Sequence, residues 1–189
     1  MKRILCLGDS NTFGYDPRSY FGSRYSAQVR WTGRLKSEGW EVINWGENGL
    51  SIPKQRNLPE LSARIRRCLP LNAVTVMLGS NDLLEGAAPA EVGMRMEMLL
   101  RCVVESAGGA RIILIVPPPM ERGTWVSDRT LIDRSAELCA VYRRLADKVG
   151  ITFADAGAWN VALAYDGVHF LPEGHAAFAR GLQRLLEEE

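Results

Sequence analysis

Five short runs of β-branched and apolar residues recur along the chain: Arg3-Leu7, Glu41-Trp45, Ala73-Leu78, Arg111-Val116 and Ile151-Ala154, each bounded by turn residues or proline. Such runs read as strands. Between and after them lie longer segments with apolar residues at helical spacing, Trp31-Glu38, Pro59-Cys68, Ala90-Ser106, Asp128-Val149 and Pro172-Leu186. This alternation constrains the fold more than any other feature, because each parallel crossover needs a connecting element and the right-handed hand is strongly favoured. It predicts the α/β class: a flavodoxin-like three-layer α/β/α arrangement around a five-stranded parallel sheet. At 189 residues, with no internal repeat and no long Pro/Gly/Ser linker, the chain reads as one domain over 1–189. Pro117-Pro118-Pro119 ends the fourth strand, since proline cannot donate to a sheet ladder.

Charge excludes several function classes. With 23 basic against 22 acidic side chains, the net charge is +1, so no global field draws nucleic acid or an anionic membrane to the surface. Cys6, Cys68, Cys102 and Cys139 are scattered without a C-x-x-C pair, which speaks against a zinc site or a disulfide framework. The apolar run behind Lys2-Arg3 ends at Gly8-Asp9, too short for a signal-peptide core, and no membrane-length apolar segment follows. These features place the chain in a reducing, cytoplasmic setting. Arg64, Arg66 and Arg67 alternate with Leu61, Ile65 and Leu69 as the wet face of an amphipathic helix. The five tryptophans are core or rim candidates, and any of them can line a pocket.

In an open parallel sheet, ligands bind beyond the carboxyl ends of the strands. The residues there are Gly8-Asp9-Ser10, Glu47-Asn48-Gly49, Gly79-Ser80-Asn81-Asp82 and, before the last helix, Asp166-Gly167-Val168-His169. Ester hydrolysis by serine needs a base within reach of the hydroxyl, a group orienting that base, and donors for the oxyanion. Ser10 is the candidate nucleophile, His169 the base and Asp166 the acceptor that fixes the imidazole tautomer. The backbone N–H groups of Ser10 and Gly49 and the Asn81 amide are candidate oxyanion donors. Glycine suits position 49 because the missing Cβ lets backbone approach a ligand.

With these residues in view, the sequence resembles the SGNH hydrolases, or GDSL esterase family. "LGDSNTFG", "NWGENGLS", "LGSNDLL" and "DGVHF" match its blocks in order across nearly the whole chain. The resemblance implies a Ser-His-Asp esterase that needs no cofactor or metal and acts on short acyl esters, acetyl esters foremost. Its substrate would be a small-molecule or carbohydrate ester. "VRWTGRL", "MLGSND" and "VPPPM" are similar to the bacterial arylesterase branch whose members transfer acyl groups to alcohols. Longer loops in that branch build a homo-oligomer and a hydrophobic channel, and the stretch after Gly49 is short here.

Each residue also has a structural role to offer: Ser10 as N-cap, Gly49 as turn glycine, Asn81, Asp82 and Asp166 as turn or cap residues. Asp9 suits shaping the turn, and His175, in "LPEGHAAF" with no carboxylate three residues before it, suits a structural position. Other classes lose on missing parts. There is no G-x-x-x-x-G-K-[ST] and no G-x-G-x-x-G. A phosphoacceptor site leaves Gly49, Asn81 and His169 unexplained, and Asp9, Asp82, Asp166 and His169 match no recognisable metal spacing. A carbohydrate-binding module that keeps the fold without turnover is the remaining alternative.

Overall fold

A computed structural model describes residues 1–19 and 21–188. The strands are β1 (Lys2–Gly8), β2 (Trp40–Gly46), β3 (Ala73–Met77), β4 (Arg111–Val116) and β5 (Thr152–Asp155). The helices are α1 (Ser10–Phe13), α2 (Trp31–Ser37), α3 (Leu58–Arg67), α4 (Ser80–Leu84), α5 (Pro89–Ser106), α6 (Arg129–Val149) and α7 (Pro172–Glu187). Short 3-10 turns occupy Gln55–Asn57 and Ala156–Trp159. All five strands pair in parallel, in the order β2-β1-β3-β4-β5 expected of a flavodoxin-like sheet.

Alternation along β1 sends its side chains to opposite faces. Leu5 and Leu7 join the core beneath α3, α5 and α6, whereas Ile4 and Cys6 join a second core beneath α2 and α7. Burial on both faces explains why β3 and β4 read as continuous apolar runs. Each fully buried aliphatic side chain in these cores contributes about 1.5–3 kcal/mol. Helix starts follow local chemistry: Pro89 and Pro172 open α5 and α7, and the Asp128 side chain caps α6 by accepting from Thr130 N–H at 2.8 Å. Gly150 closes α6 in the left-handed conformation.

Two short helices, α1 and α4, escape the periodicity reading, because helices of four and five residues carry too few turns to show an apolar stripe. Both begin directly after a strand. The α3 reading holds for its arginines, which are exposed over buried Leu61 and Ile65. Leu69, however, lies past the helix end and is 37% exposed, since α3 stops at Arg67.

α1 lies against the end of β2. Asn44 donates to Thr12 O at 2.9 Å and to Thr32 Oγ1 at 3.0 Å. A Cβ added at Gly46 would stand 2.0 Å from Phe13 N, so this crossing is open only to glycine. Gly46→Ala is expected to cost about 1–3 kcal/mol of stability, because the obstacle is backbone that cannot rotate away. Guanidinium unfolding of the two proteins checks it.

Candidate active site

The order β2-β1-β3 makes the crevice between β1 and β3 the topological switch point of the sheet. Ser10 follows β1 and Asn81 follows β3, one on each side of it. Ser10 is the first residue of α1, turned there by Asp9, whose Oδ1 accepts from Asn11 N–H at 2.9 Å. The first-turn N–H groups of a helix lack intrahelical acceptors, which leaves the Ser10 amide available to a ligand.

Across 159 residues of sequence, His169 Nε2 lies 3.0 Å from Ser10 Oγ. His169 Nδ1 lies 2.8 Å from Asp166 Oδ2. Asp166 Oδ1 accepts from the backbone N–H groups of Val168 and His169, both at 2.9 Å. All three side chains are nearly inaccessible to water. Burial opposes ionisation of Asp166, but the hydrogen bonds from His169 and Val168 outweigh it and hold the carboxyl below its ordinary range. A carboxylate on Nδ1 fixes the tautomer, leaving Nε2 as the acceptor facing Ser10.

The loop carrying Asp166 is held from outside by a second segment. Glu121 N–H donates to Gly167 O at 3.0 Å, Thr124 N–H to Tyr165 O at 3.1 Å and Trp125 N–H to Asp166 O at 3.2 Å. A Cβ at Gly123 would stand 2.3 Å from the Asp166 carbonyl carbon, so the two backbones are in direct contact. This segment brings Trp125 edge-on to the His169 ring at 4.9 Å, while Tyr15 lies against that ring at 4.6 Å. Trp125 is 54% exposed, and sequence alone offers nothing to single it out from the other tryptophans.

On the opposite side, Asn81 Nδ2 donates to Leu50 O at 3.1 Å, tying α4 to the residue after Gly49. Asp82 is fully buried, accepting from Ile52 N–H at 3.0 Å and pairing with Arg95 at 3.1 Å. Ser51 Oγ donates to Glu85 at 2.9 Å. The α4 turn therefore grips the 50–52 segment at three points. Gly79, with φ of 118°, supplies the backbone turn that starts α4. Gly49 has φ of 72° and no atom within 4 Å of a would-be Cβ, so left-handed backbone, rather than crowding by the protein, requires glycine there. A cleft of about 700 Å³ opens beside this loop, between Trp45, Leu50 and α3, and includes none of Ser10, Asp166 and His169 in its walls.

His175 stands apart. It is fully buried, packs against Tyr25 and Phe170, and neither ring nitrogen has a hydrogen-bond partner among the described residues. Burial, with Arg34 and Arg30 nearby, pushes its pKa down to about 3. Among the described residues no group of three or more His, Cys, Asp or Glu is placed to hold a metal ion, and no helix is long and apolar enough to cross a membrane.

A model of the GDSL-like lipase/acylhydrolase family matches residues 6–177. The native aryl esterase of M. smegmatis superposes with a TM-score of 0.87 at 29% identity, covering 99% of both chains. A carbohydrate acetylesterase from Sinorhizobium meliloti gives 0.86 at 26% identity, again over 99% of both. A lipolytic protein of the G-D-S-L family from Veillonella parvula, 18% identical with a TM-score of 0.74, shares the fold. No curated protein matches the chain.

The buried Asp9 carboxyl behind Ser10 yields a stability prediction. Burial raises its pKa from 3.8 to about 6; Asn11 N–H and His169 oppose the rise and Asp82 adds to it. The folded chain thus holds this proton more tightly than the unfolded one, a contribution complete below about pH 3.8 and lost as pH rises through about 6. Asp9→Asn, which still accepts from Asn11 N–H, is expected to gain up to about 3 kcal/mol near pH 7.5 and almost nothing near pH 3.5. Denaturant unfolding at both pH values checks it; an equal difference at both would assign the effect to something other than titration.

Proposed function

Because the chain belongs to the GDSL-like lipase/acylhydrolase family and is an ester hydrolase, we propose that it cleaves short acyl esters, acetyl esters foremost, through an acyl-enzyme on Ser10. The observation that carries this reading is the unbroken hydrogen-bonded chain from Ser10 Oγ through His169 to Asp166. His169 Nε2 takes the Ser10 proton as Oγ attacks the ester carbonyl carbon. The oxyanion is met by the N–H groups of Ser10 and Gly49 and by Asn81, whose amide carries two hydrogens, one of them engaged by Leu50 O. On collapse, His169 gives its proton to the departing alkoxide and the acyl group stays on Oγ. Water, giving a proton to His169, then attacks the acyl carbon; as the acyl C–Oγ bond breaks, His169 returns that proton to Ser10 Oγ and the acid is released, and a second alcohol in place of water yields a new ester.

Microscopic geometry also speaks to the alcohol. The general acid must stand beside the leaving oxygen, so groups packed against the His169 ring stand near the alcohol half of the substrate. Those groups are Tyr15 and Trp125. Aromatic faces favour a planar aryl alcohol or the apolar face of a sugar ring, in keeping with the aryl esterase and carbohydrate acetylesterase that the chain resembles.

Hydrolysis of p-nitrophenyl acetate, butyrate and octanoate in EDTA, followed by O-acetylated glycans, tests the reading. Activity should fall from acetate to octanoate. Binding of glycans with no turnover of any ester would instead make the chain a carbohydrate-binding module. Ser10→Ala is expected to lower kcat by about 10⁴–10⁶-fold and Asp166→Asn by about 10⁴-fold. Asn81→Ala should lower kcat by about 10²–10³-fold with little change in KM. A change confined to KM would remove Asn81 from the oxyanion role. His175→Ala, if folded, should leave kcat unchanged.

A further inference from the structure

The base reaches Ser10 from a loop, and a loop has many conformations to choose from. Five backbone groups around His169 are accounted for individually. Asp166 Oδ1 accepts from Val168 N–H and His169 N–H, and His169 O accepts from Ala164 N–H at 2.7 Å. The remaining two, on either side of His169, both go to one side chain. Asn11 Nδ2 donates to Val168 O at 3.1 Å, and Asn11 Oδ1 accepts from Phe170 N–H at 2.9 Å. The partners fix the amide orientation, since a carbonyl needs the NH₂ and an N–H needs the oxygen.

Asn11 is the residue after the nucleophile, and it is itself held at both backbone groups. Its N–H donates to Asp9 Oδ1 at 2.9 Å, and its carbonyl accepts from the buried Trp31 indole at 2.8 Å. It is only 4% exposed, so these bonds are not exchanged for water. The family is named for Gly-Asp-Ser-Leu, and this chain reads Gly8-Asp9-Ser10-Asn11. Leucine at the fourth position can make neither side-chain bond.

We propose that Asn11 is a positioning residue that brackets His169 through Val168 and Phe170 and so locks the base in register with Ser10; the assignment rests on the esterase reading above. The nucleophile's own neighbour thus holds the backbone on both sides of the base, tying the Ser10–His169 distance directly to the α1 turn while the 121–125 segment holds the same loop from outside. A base misplaced by about 1 Å costs on the order of a hundredfold in rate. Substrate contacts are untouched.

The test compares Asn11→Leu, close in size but without donor or acceptor, with Asn11→Asp, which keeps an acceptor for Phe170 N–H and loses the donor to Val168 O. With p-nitrophenyl acetate, kcat per folded molecule should fall about 10²-fold in Asn11→Leu and about 10-fold in Asn11→Asp, with KM within about twofold of wild type. Proton NMR should show the downfield His169 Nδ1–H resonance in the wild type, weaker in Asn11→Asp and lost in Asn11→Leu. A merely structural asparagine would lower the melting temperature and leave kcat and this resonance unchanged in both variants, overturning the proposal. A rise in KM at constant kcat would overturn it equally. Should Asn11→Leu fail to fold, Asn11→Asp decides by the same readings. If the wild type hydrolyses no ester, the esterase reading fails, and the resonance, which needs no turnover, still decides the role of Asn11.

Discussion

Strand β1 is paired on both sides, and its register is the constraint from which the site descends. Gly8 lies opposite Gly46 of β2 and opposite Met77 of β3, so three strands end at one level. The chain turns within two residues of β1 and three of β3 into a short helix, which leaves Ser10 and Asn81 flanking the crevice. A slip by one residue in either pairing would turn Leu5 and Leu7 away from the α5 face and Ile4 and Cys6 away from the α7 face. Packing the two cores and aligning the site are therefore one requirement.

Around this level the structure buries three carboxyls and treats each differently. Asp166 receives two backbone N–H groups and an imidazole, which keep it ionised against the penalty of burial. Asp82 receives Ile52 N–H and the Arg95 guanidinium and so fastens the segment after Gly49. Asp9 has Asn11 N–H for its capping oxygen and has its pKa raised by burial. The same residue type thus gives an orienting group, an anchor and a cap, according to how many donors surround it.

Much of this was legible in the chain. Strand residues buried on both faces leave long apolar runs, and amphipathic helices of seven or more residues leave a stripe, so five strands and the five longer helices could be placed to within about two residues. Ser10, Asp166 and His169 stood out because turn residues at strand ends are few and the chemistry demands specific types. Asn11, Tyr15 and Trp125 did not. Their partners lie far away in sequence, as with Asn11 and Val168, 157 residues apart, and no local pattern encodes a pairing of that separation.

Local periodicity and turn chemistry by themselves determined the class of fold and marked Ser10, Asp166 and His169 as candidates at the carboxyl ends of the strands. Each strand, helix and turn is carried by residues close together in the chain, where backbone dihedrals and burial impose a readable rhythm. Tertiary structure decided the rest: which aromatic rings pack against His169, why Gly49 must be glycine, and that the side chain after Ser10 fastens the loop bearing His169. These depend on how distant backbone groups find hydrogen-bond partners once water is excluded, and that matching exists only when the layers have closed.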